Sequence, residues 1–152
     1  MKKKNSHLIF TLSSFFVPLI IYLKTMAPTT SFWDCGEFIA CSVTLGVPHP
    51  PGTPLFLLLG NVFSNIPILS DIGARVNLIS PIASAFSVMF LYLIIMQLIK
   101  RILGDNNNEK TYIDKIKLAE YSAFIAAITF ALTDSQWFNA VESEVYALST
   151  FL

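Results

Sequence analysis

The densest chemistry in the chain lies between Thr25 and Pro54, TMAPTTSFWDCGEFIACSVTLGVPHPPGTP, where Asp34 and Glu37 stand three positions apart in apolar surroundings. Were Phe32 to Ser42 helical, Asp34, Glu37 and Cys41 would fall at i, i+3 and i+7 and share one face. Two such carboxylates suit proton transfer, with one acting as a general base. The same positions suit a structural role equally well: Ser31 is placed to cap the helix, and both acids lie near the positive end of its dipole. Cys35 and Cys41 point to opposite faces, too far apart to be bridged. Neither has the CxxC-type partner of a zinc site.

Four further residues invite a role. His49 lies in Val47-Pro48-His49-Pro50-Pro51-Gly52-Thr53-Pro54, whose prolines forbid helix and hold an extended backbone. Its imidazole is placed to donate to an anionic group or shuttle a proton, or is simply a loop side chain. Pro54 suits the first turn of a following helix. Arg75 can pair bidentately with a phosphate; its structural alternatives are an interfacial anchor or a salt bridge to Asp71. Glu142 and Glu144 are two apart, about 200° around a helix, so a regular helix would send one into a pocket and the other into solvent. No metal-binding motif is evident, although a carboxylate-bound divalent ion is compatible with these acids.

The elements that carry these residues are read from composition. Of 152 residues 54% are hydrophobic and 13% charged, about half the roughly 25% charged share of soluble domains. Ten basic residues balance ten acidic ones, so nothing attracts nucleic acid in general. The expected fold is an all-α integral membrane protein, because lipid admits only helices or closed barrels and the apolar runs are helical in length. Three spans are expected, at 8–23, 76–99 and 118–137. The rival for the first, a cleaved signal peptide, finds only Thr25-Met26-Ala27 followed by Pro28, a poor exit. Thr53 to Leu69 is expected to lie at the interface as a helix, with a full extra span as the alternative.

Basic residues stay cytoplasmic in short loops. A cytoplasmic N-terminus puts Lys2, Lys3, Lys4, Lys100, Arg101, Lys110, Lys115 and Lys117 on that side. It leaves an external loop at 24–75, a cytoplasmic loop at 100–117, and Asp34, Glu37, His49, Arg75, Glu142 and Glu144 together on the outer face. The apolar turn of Asn139 to Leu152 reads as the start of another span, hence as the N-terminal part of a larger protein.

Trp33-Asp34-Cys35-Gly36-Glu37-Phe38, His49-Pro50-Pro51-Gly52 and Ala140-Val141-Glu142-Ser143-Glu144-Val145-Tyr146 together resemble the membrane-protein family called domain of unknown function 2723. That family is similar to protein O-mannosyltransferases and other GT-C glycosyltransferases, and the similarity runs from about Leu8 to the end of the chain. The resemblance implies a GT-C-like multi-span helical enzyme that moves a sugar from a polyprenyl-phosphate donor to Ser or Thr of exported proteins. It implies an essential acid in the first external loop, best matched by Asp34 and less securely by Glu37. It raises His49 to a site wall; Arg75 and His49 would face the phosphate, and Glu142 and Glu144 would complete the substrate side. Such enzymes have many more spans, so this segment alone is expected to be inactive. The expected setting is a bacterial inner membrane with the active loop periplasmic, or an endoplasmic reticulum membrane in a eukaryote. A transporter component, or a structural membrane subunit without catalysis, is the competing function; transport would call for polar groups inside the spans, where Val76 to Ile99 offers Asn77, several serines and Gln97.

Overall fold

A computed structural model describes residues 3–50, 53–104 and 109–152, with side chains from 6–50, 53–104 and 112–152. Lys2, Pro51, Gly52 and the run Asn106 to Asn108 lie outside the described residues, as do the side chains of Lys3, Lys4 and Lys110. The described chain is all-helical: α1 (Lys3–Thr25), α2 (Cys35–Thr44), α3 (Pro54–Asn65), α4 (Ile72–Asn77), α5 (Ile79–Leu103), α6 (Glu109–Ala131), α7 (Asp134–Ala140) and α8 (Val145–Phe151).

Three long helices make the frame. Two stretches, Ser6–Thr25 and Ile72–Leu103, are long and apolar enough to cross a membrane, and α6 with α7 makes a third if that bent pair is one span. They run up, down and up. At one end the Nδ1 of His7 meets the hydroxyl of Tyr92 at 2.9 Å, and at the other Tyr22 donates to the carbonyl of Ala131 at 2.7 Å. Between these ends α6 presents Ala119, Ala123, Ala127 and Ala131, all buried, to Tyr22, Val88, Tyr92 and Met96. Small residues four apart let helix axes approach closely where lipid removes the hydrophobic drive for association. The opposite side of α1, with Leu8, Ile9, Phe16 and Ile20, is exposed, as a hydrocarbon-facing surface would be.

The helices do not stop where the apolar runs do. α5 continues to Leu103 and α6 already begins at Glu109, so most of the loop expected at 100–117 is helix. Residues 109–117, EKTYIDKIK, hold four strong helix formers and neither Gly nor Pro, and a helix in water needs no hydrocarbon to continue. The expected third span, 118–137, is also broken: the axis turns 65° after Ala131. Thr133, extended at ψ 146, starts α7 there, and the Tyr22 hydroxyl takes up the Ala131 carbonyl exposed by the bend. A second interruption separates α4 from α5 at Leu78. Pro81 explains it, since its ring collides with the carbonyl four residues earlier, at Asn77, and fits only in the first turn of a new helix.

α2, α3 and α4 fill the connection between the first two long helices. α3 has 12 residues, about 18 Å, well short of a roughly 30 Å hydrocarbon core, which removes the reading of Thr53 to Leu69 as a full span. Pro54 occupies its first turn as expected. α2 ends with Leu45 left-handed at φ 53, and Gly46 N–H returns to the Cys41 carbonyl at 3.0 Å. The Asn61 amide of α3 caps the same end, donating to the carbonyls of Ser42 at 2.9 Å and Val43 at 3.3 Å. One position makes this approach possible: a Cβ at Gly60 would lie 2.2 Å from Ser42 Oγ and 2.6 Å from its Cβ. Gly60→Ala is therefore expected to force α2 and α3 apart and destabilise by about 1–3 kcal/mol. A melting curve of the detergent-purified protein would show it, and adding Ser42→Gly should recover most of the loss.

Candidate functional site

The site is assembled around one buried amide. Asn77, fully buried where α4 gives way to α5, donates through Nδ2 to the carbonyls of Ala27 and Thr29, each at 2.9 Å. Its Oδ1 accepts from the Ser143 hydroxyl and lies 3.8 Å from the Cys35 thiol. One side chain thus joins the strand after α1, the start of α2 and the turn between α7 and α8. Neighbouring bonds reinforce the junction: Ala27 N–H donates to the Val141 carbonyl at 2.8 Å, Trp137 Nε1 to Thr25 Oγ1 at 3.0 Å, and Thr29 Oγ1 to Asp71 at 3.2 Å. Sequence reasoning passed over Asn77 as one polar residue in a span. Its signal was an amide at the head of the longest apolar block, where an unpaired polar group is costly.

α2 begins later than the spacing suggests. Trp33 is left-handed at φ 55, and Asp34, not Ser31, occupies the N-cap position, with no side-chain capping bond. Ser31 instead offers its N–H to Cys35 Sγ at 3.5 Å. Glu37 and Cys41, four apart on α2, share a face as expected, with Asp34 at the N-cap of the same helix; Asp34 and Glu37 are linked through His49. The His49 backbone N–H donates to Glu37 Oε1 at 2.8 Å, and its ring Nδ1–H donates to Oε2 at 2.7 Å. The opposite ring nitrogen, Nε2, is 3.9 Å from Asp34 Oδ2. The ring rests against Phe38 at a centroid distance of 5.9 Å, and Phe38 packs edge-on against Phe56 at 5.8 Å. So the proline-rich loop has a defined seat, and its imidazole bridges two acids. Pro51 and Gly52 of that motif lie outside the described residues.

Glu142 and Glu144 are not on a helix. They lie in the turn between α7 and α8, where Glu144 N–H donates to the Glu142 carbonyl at 2.9 Å. Freed from helical geometry, both are buried, at 2% and 6% exposure, which corrects the expectation that one is solvated. Arg75 stands apart from the acids. Its guanidinium donates to the carbonyls of Leu69 at 2.6 Å, Ser64 at 3.0 Å and Ser70 at 3.3 Å, capping the end of α3. It does not pair with Asp71, whose carboxylate caps α4 at Ala74 N–H, 2.9 Å away.

Electrostatics follow from this geometry. The two hydrogen bonds from His49 hold Glu37 below the usual carboxylate range. The hydrogen bond and charge of Glu37, helped by Asp34 and Glu144, hold the imidazole above its ordinary value. Burial pushes the Glu144 carboxyl up, and the charges of Glu142 and Asp34 push it further. Asp34 differs from all of these: its side chain is 56% exposed, and its nearest polar contact is Nε2 of His49 at 3.9 Å. Both oxygens of Glu37 are engaged by His49, whereas the Asp34 carboxylate makes no hydrogen bond among the described residues.

The family described as protein O-mannosyl-transferase TMEM260 N-terminal domain matches residues 34–152. Among curated proteins, the chain is 27% identical over 132 residues to protein O-mannosyl-transferase tmem260 of Dictyostelium discoideum, covering 86% of this chain and 14% of that protein. It is 25% identical over 129 residues to protein O-mannosyl-transferase TMEM260 of Mus musculus, covering 85% and 16% respectively. The chain thus spans about one-seventh of the length of these relatives. No solved structure gives a significant match.

The Glu37–His49 pair has a readable pH signature. A lowered carboxylate contributes stability that is lost as pH falls through its folded pKa, below the ordinary 4.5. A raised imidazole contributes stability that is lost as pH rises through its folded pKa, above the ordinary 6.5. Carbethoxylation of His49, which requires the neutral ring, should show a midpoint above 6.5 that falls back towards 6.5 in Glu37→Gln. A midpoint at or below 6.5 in the parent protein would show that the pair is not formed.

Proposed function

The chain belongs to the protein O-mannosyl-transferase TMEM260 N-terminal domain family, and on that premise we propose that it supplies the acidic half of a membrane glycosyltransferase site. In this reading the enzyme is of GT-C type and moves mannose from a polyprenyl-phosphate donor to a Ser or Thr hydroxyl of an exported protein. The mouth bearing Asp34 faces away from the cytoplasm, in line with the distribution of basic residues. The segment works with the remainder of a longer enzyme and is inactive by itself.

The observation that carries the proposal is the contrast between the two acids. Asp34 makes no side-chain hydrogen bond among the described residues and is open to an acceptor, while each oxygen of Glu37 already accepts a hydrogen bond from His49. In the transfer step Asp34 takes the proton from the acceptor hydroxyl as its oxygen bonds to the sugar C1. The bond from C1 to the phosphate oxygen breaks, and the polyprenyl phosphate leaves with that electron pair. Glu37 fixes the imidazole so that Nε2 stays aimed at Asp34. Glu142 and Glu144 wall the substrate side. The lipid part of the donor arrives through the bilayer. An apolar groove lined by Leu59, Phe63, Ile82, Phe86, Leu148 and Phe151 offers its isoprenoid chain a surface.

Full-length enzyme, supplied with a polyprenyl-phosphate mannose and an acceptor peptide, tests this assignment. Asp34→Asn should lower kcat by about 10²- to 10⁴-fold, the usual contribution of a general base, with membrane insertion unchanged. Glu37→Gln, which only loosens the ring, should cost less than Asp34→Asn. Transfer by Asp34→Asn at the parent rate would remove Asp34 from the chemistry.

A further inference from the structure

The mouth of the site has a charge problem. Asp34 and Glu37 flank His49, the cationic group in contact with them among the described residues, and the charges of Asp34 and Glu142 both act on Glu144. Arg75, expected on the phosphate side, is committed to three backbone carbonyls. Glu142 adds a second difficulty. It is 98% removed from solvent, and its Oε1 has no hydrogen-bond partner among the described residues. It stands two residues from Glu144, whose carboxyl feels the charges of Glu142, Asp34 and His49. A buried carboxylate oxygen is costly unless it is hydrogen-bonded, paired with a cation or bound to a metal.

The geometry offers a place for the missing charge. One ligand atom from each of Asp34, Glu37 and His49 lies within 4.8 Å of the other two, a separation that donors about 2.0–2.6 Å from a shared ion can reach. The ring is already arranged for coordination. With Nδ1–H given to the Glu37 carboxylate at 2.7 Å, the lone pair of neutral His49 is on Nε2, facing Asp34 Oδ2 at 3.9 Å. A carboxylate behind a histidine, fixing its tautomer and increasing its basicity, is the usual support of a metal-ligating imidazole. The gap between Nε2 and Oδ2 is too long for a hydrogen bond, yet short enough for one ion to bridge.

We propose that Asp34, Glu37 and His49 form a divalent-cation site, with Asp34 Oδ2 and His49 Nε2 as ligands and Glu37, behind the ring, as the carboxylate that fixes the imidazole. Mixed imidazole and carboxylate donors suit Mn²⁺ or an ion like it. Its positions away from the protein are open to water or to phosphate oxygens. Its charge offsets the four carboxylates and takes the place beside a leaving phosphate that Arg75 does not occupy. Asp34 keeps its second oxygen for the acceptor proton. The ion's part in transfer rests on the glycosyltransferase reading; its binding does not.

The test uses full-length protein in detergent, stripped with EDTA and titrated with Mn²⁺ alone, the free ion being counted by electron paramagnetic resonance. The expected result is one bound equivalent that weakens by about 10- to 100-fold or more in His49→Gln and Asp34→Asn, on the scale of lost metal-shell contacts. Equal binding by the parent protein and both variants, or no bound equivalent in the parent, would overturn the site. Should a variant fail to fold, spin-echo modulation of bound Mn²⁺ in the parent decides the matter. Coupling to a ¹⁴N nucleus supports the imidazole ligand, and its absence refutes it. Transfer at full rate by stripped enzyme without Mn²⁺ binding would remove the ion and leave the glycosyltransferase reading standing. Mn²⁺ binding by an enzyme that transfers no sugar would do the reverse.

Discussion

The fully buried amide of Asn77 is the constraint on which the rest of the arrangement hangs. Its two N–H groups are used on Ala27 and Thr29, and its oxygen on Ser143. The partners come from two parts of the chain, the segment after α1 and the turn after α7, and the Ser143 bond is fully buried. Removing the amide would orphan buried groups at about 1–3 kcal/mol each, and the acids it holds in register would lose their common reference. Asn77 sits at the joint between α4 and α5, near the head of the apolar stretch Ile72–Leu103, where its side chain reaches both the segment after α1 and the turn after α7.

A second dependency runs through the bend after Ala131. Close packing of the alanine stripe on α6 brings its end beside Tyr22, whose hydroxyl accommodates the broken helical bond. The 65° turn then sends α7 and α8 back over the mouth instead of onward along the bundle. This return delivers Glu142 and Glu144 to the neighbourhood of Asp34 and His49. Burying two carboxylates gains no stability by itself. The fold bears that cost through the apolar contacts around it, including Leu148 and Val145 against the Phe38, Phe56 and Val76 layer.

How much of this was legible in the sequence depended on the kind of signal. Apolar length located α1 and α5, because hydrocarbon thickness imposes a length that composition records. It could not see the first turns of α6, where exposed Asp114, Lys115 and Lys117 interrupt the apolar run without interrupting the helix. The grouping of Asp34, Glu37, His49, Glu142 and Glu144 at one end was readable from the alternation of spans with basic loops. Their mutual arrangement was not. Trp33 in a left-handed conformation delays α2, and nothing about a tryptophan announces φ 55. The seat of His49 on Glu37 joins residues 12 apart, and Asn77 to Ser143 joins residues 66 apart. Helical periodicity carries no information about either distance. Glu142 and Glu144 were assigned to opposite faces because a helix was assumed; a short turn lets both point inward.

The exposure of the central pair carries the last step. Asp34 and His49 remain about half exposed, at 56% and 47%, while the acids behind them are buried. In water, charges so exposed interact weakly, because solvent screens them. The same charges in a site from which water has been displaced act much more strongly. A lipid-borne substrate settling over the mouth would bring about this change, covering the exposed pair against the buried one. Weak coupling in the open state and strong coupling in the covered state would confine an active base to the moment when an acceptor and a donor are both present. For the proposed transfer, in which one reactant would arrive from the lipid and the other from water, an exposed acid beside buried ones suits chemistry at a membrane surface.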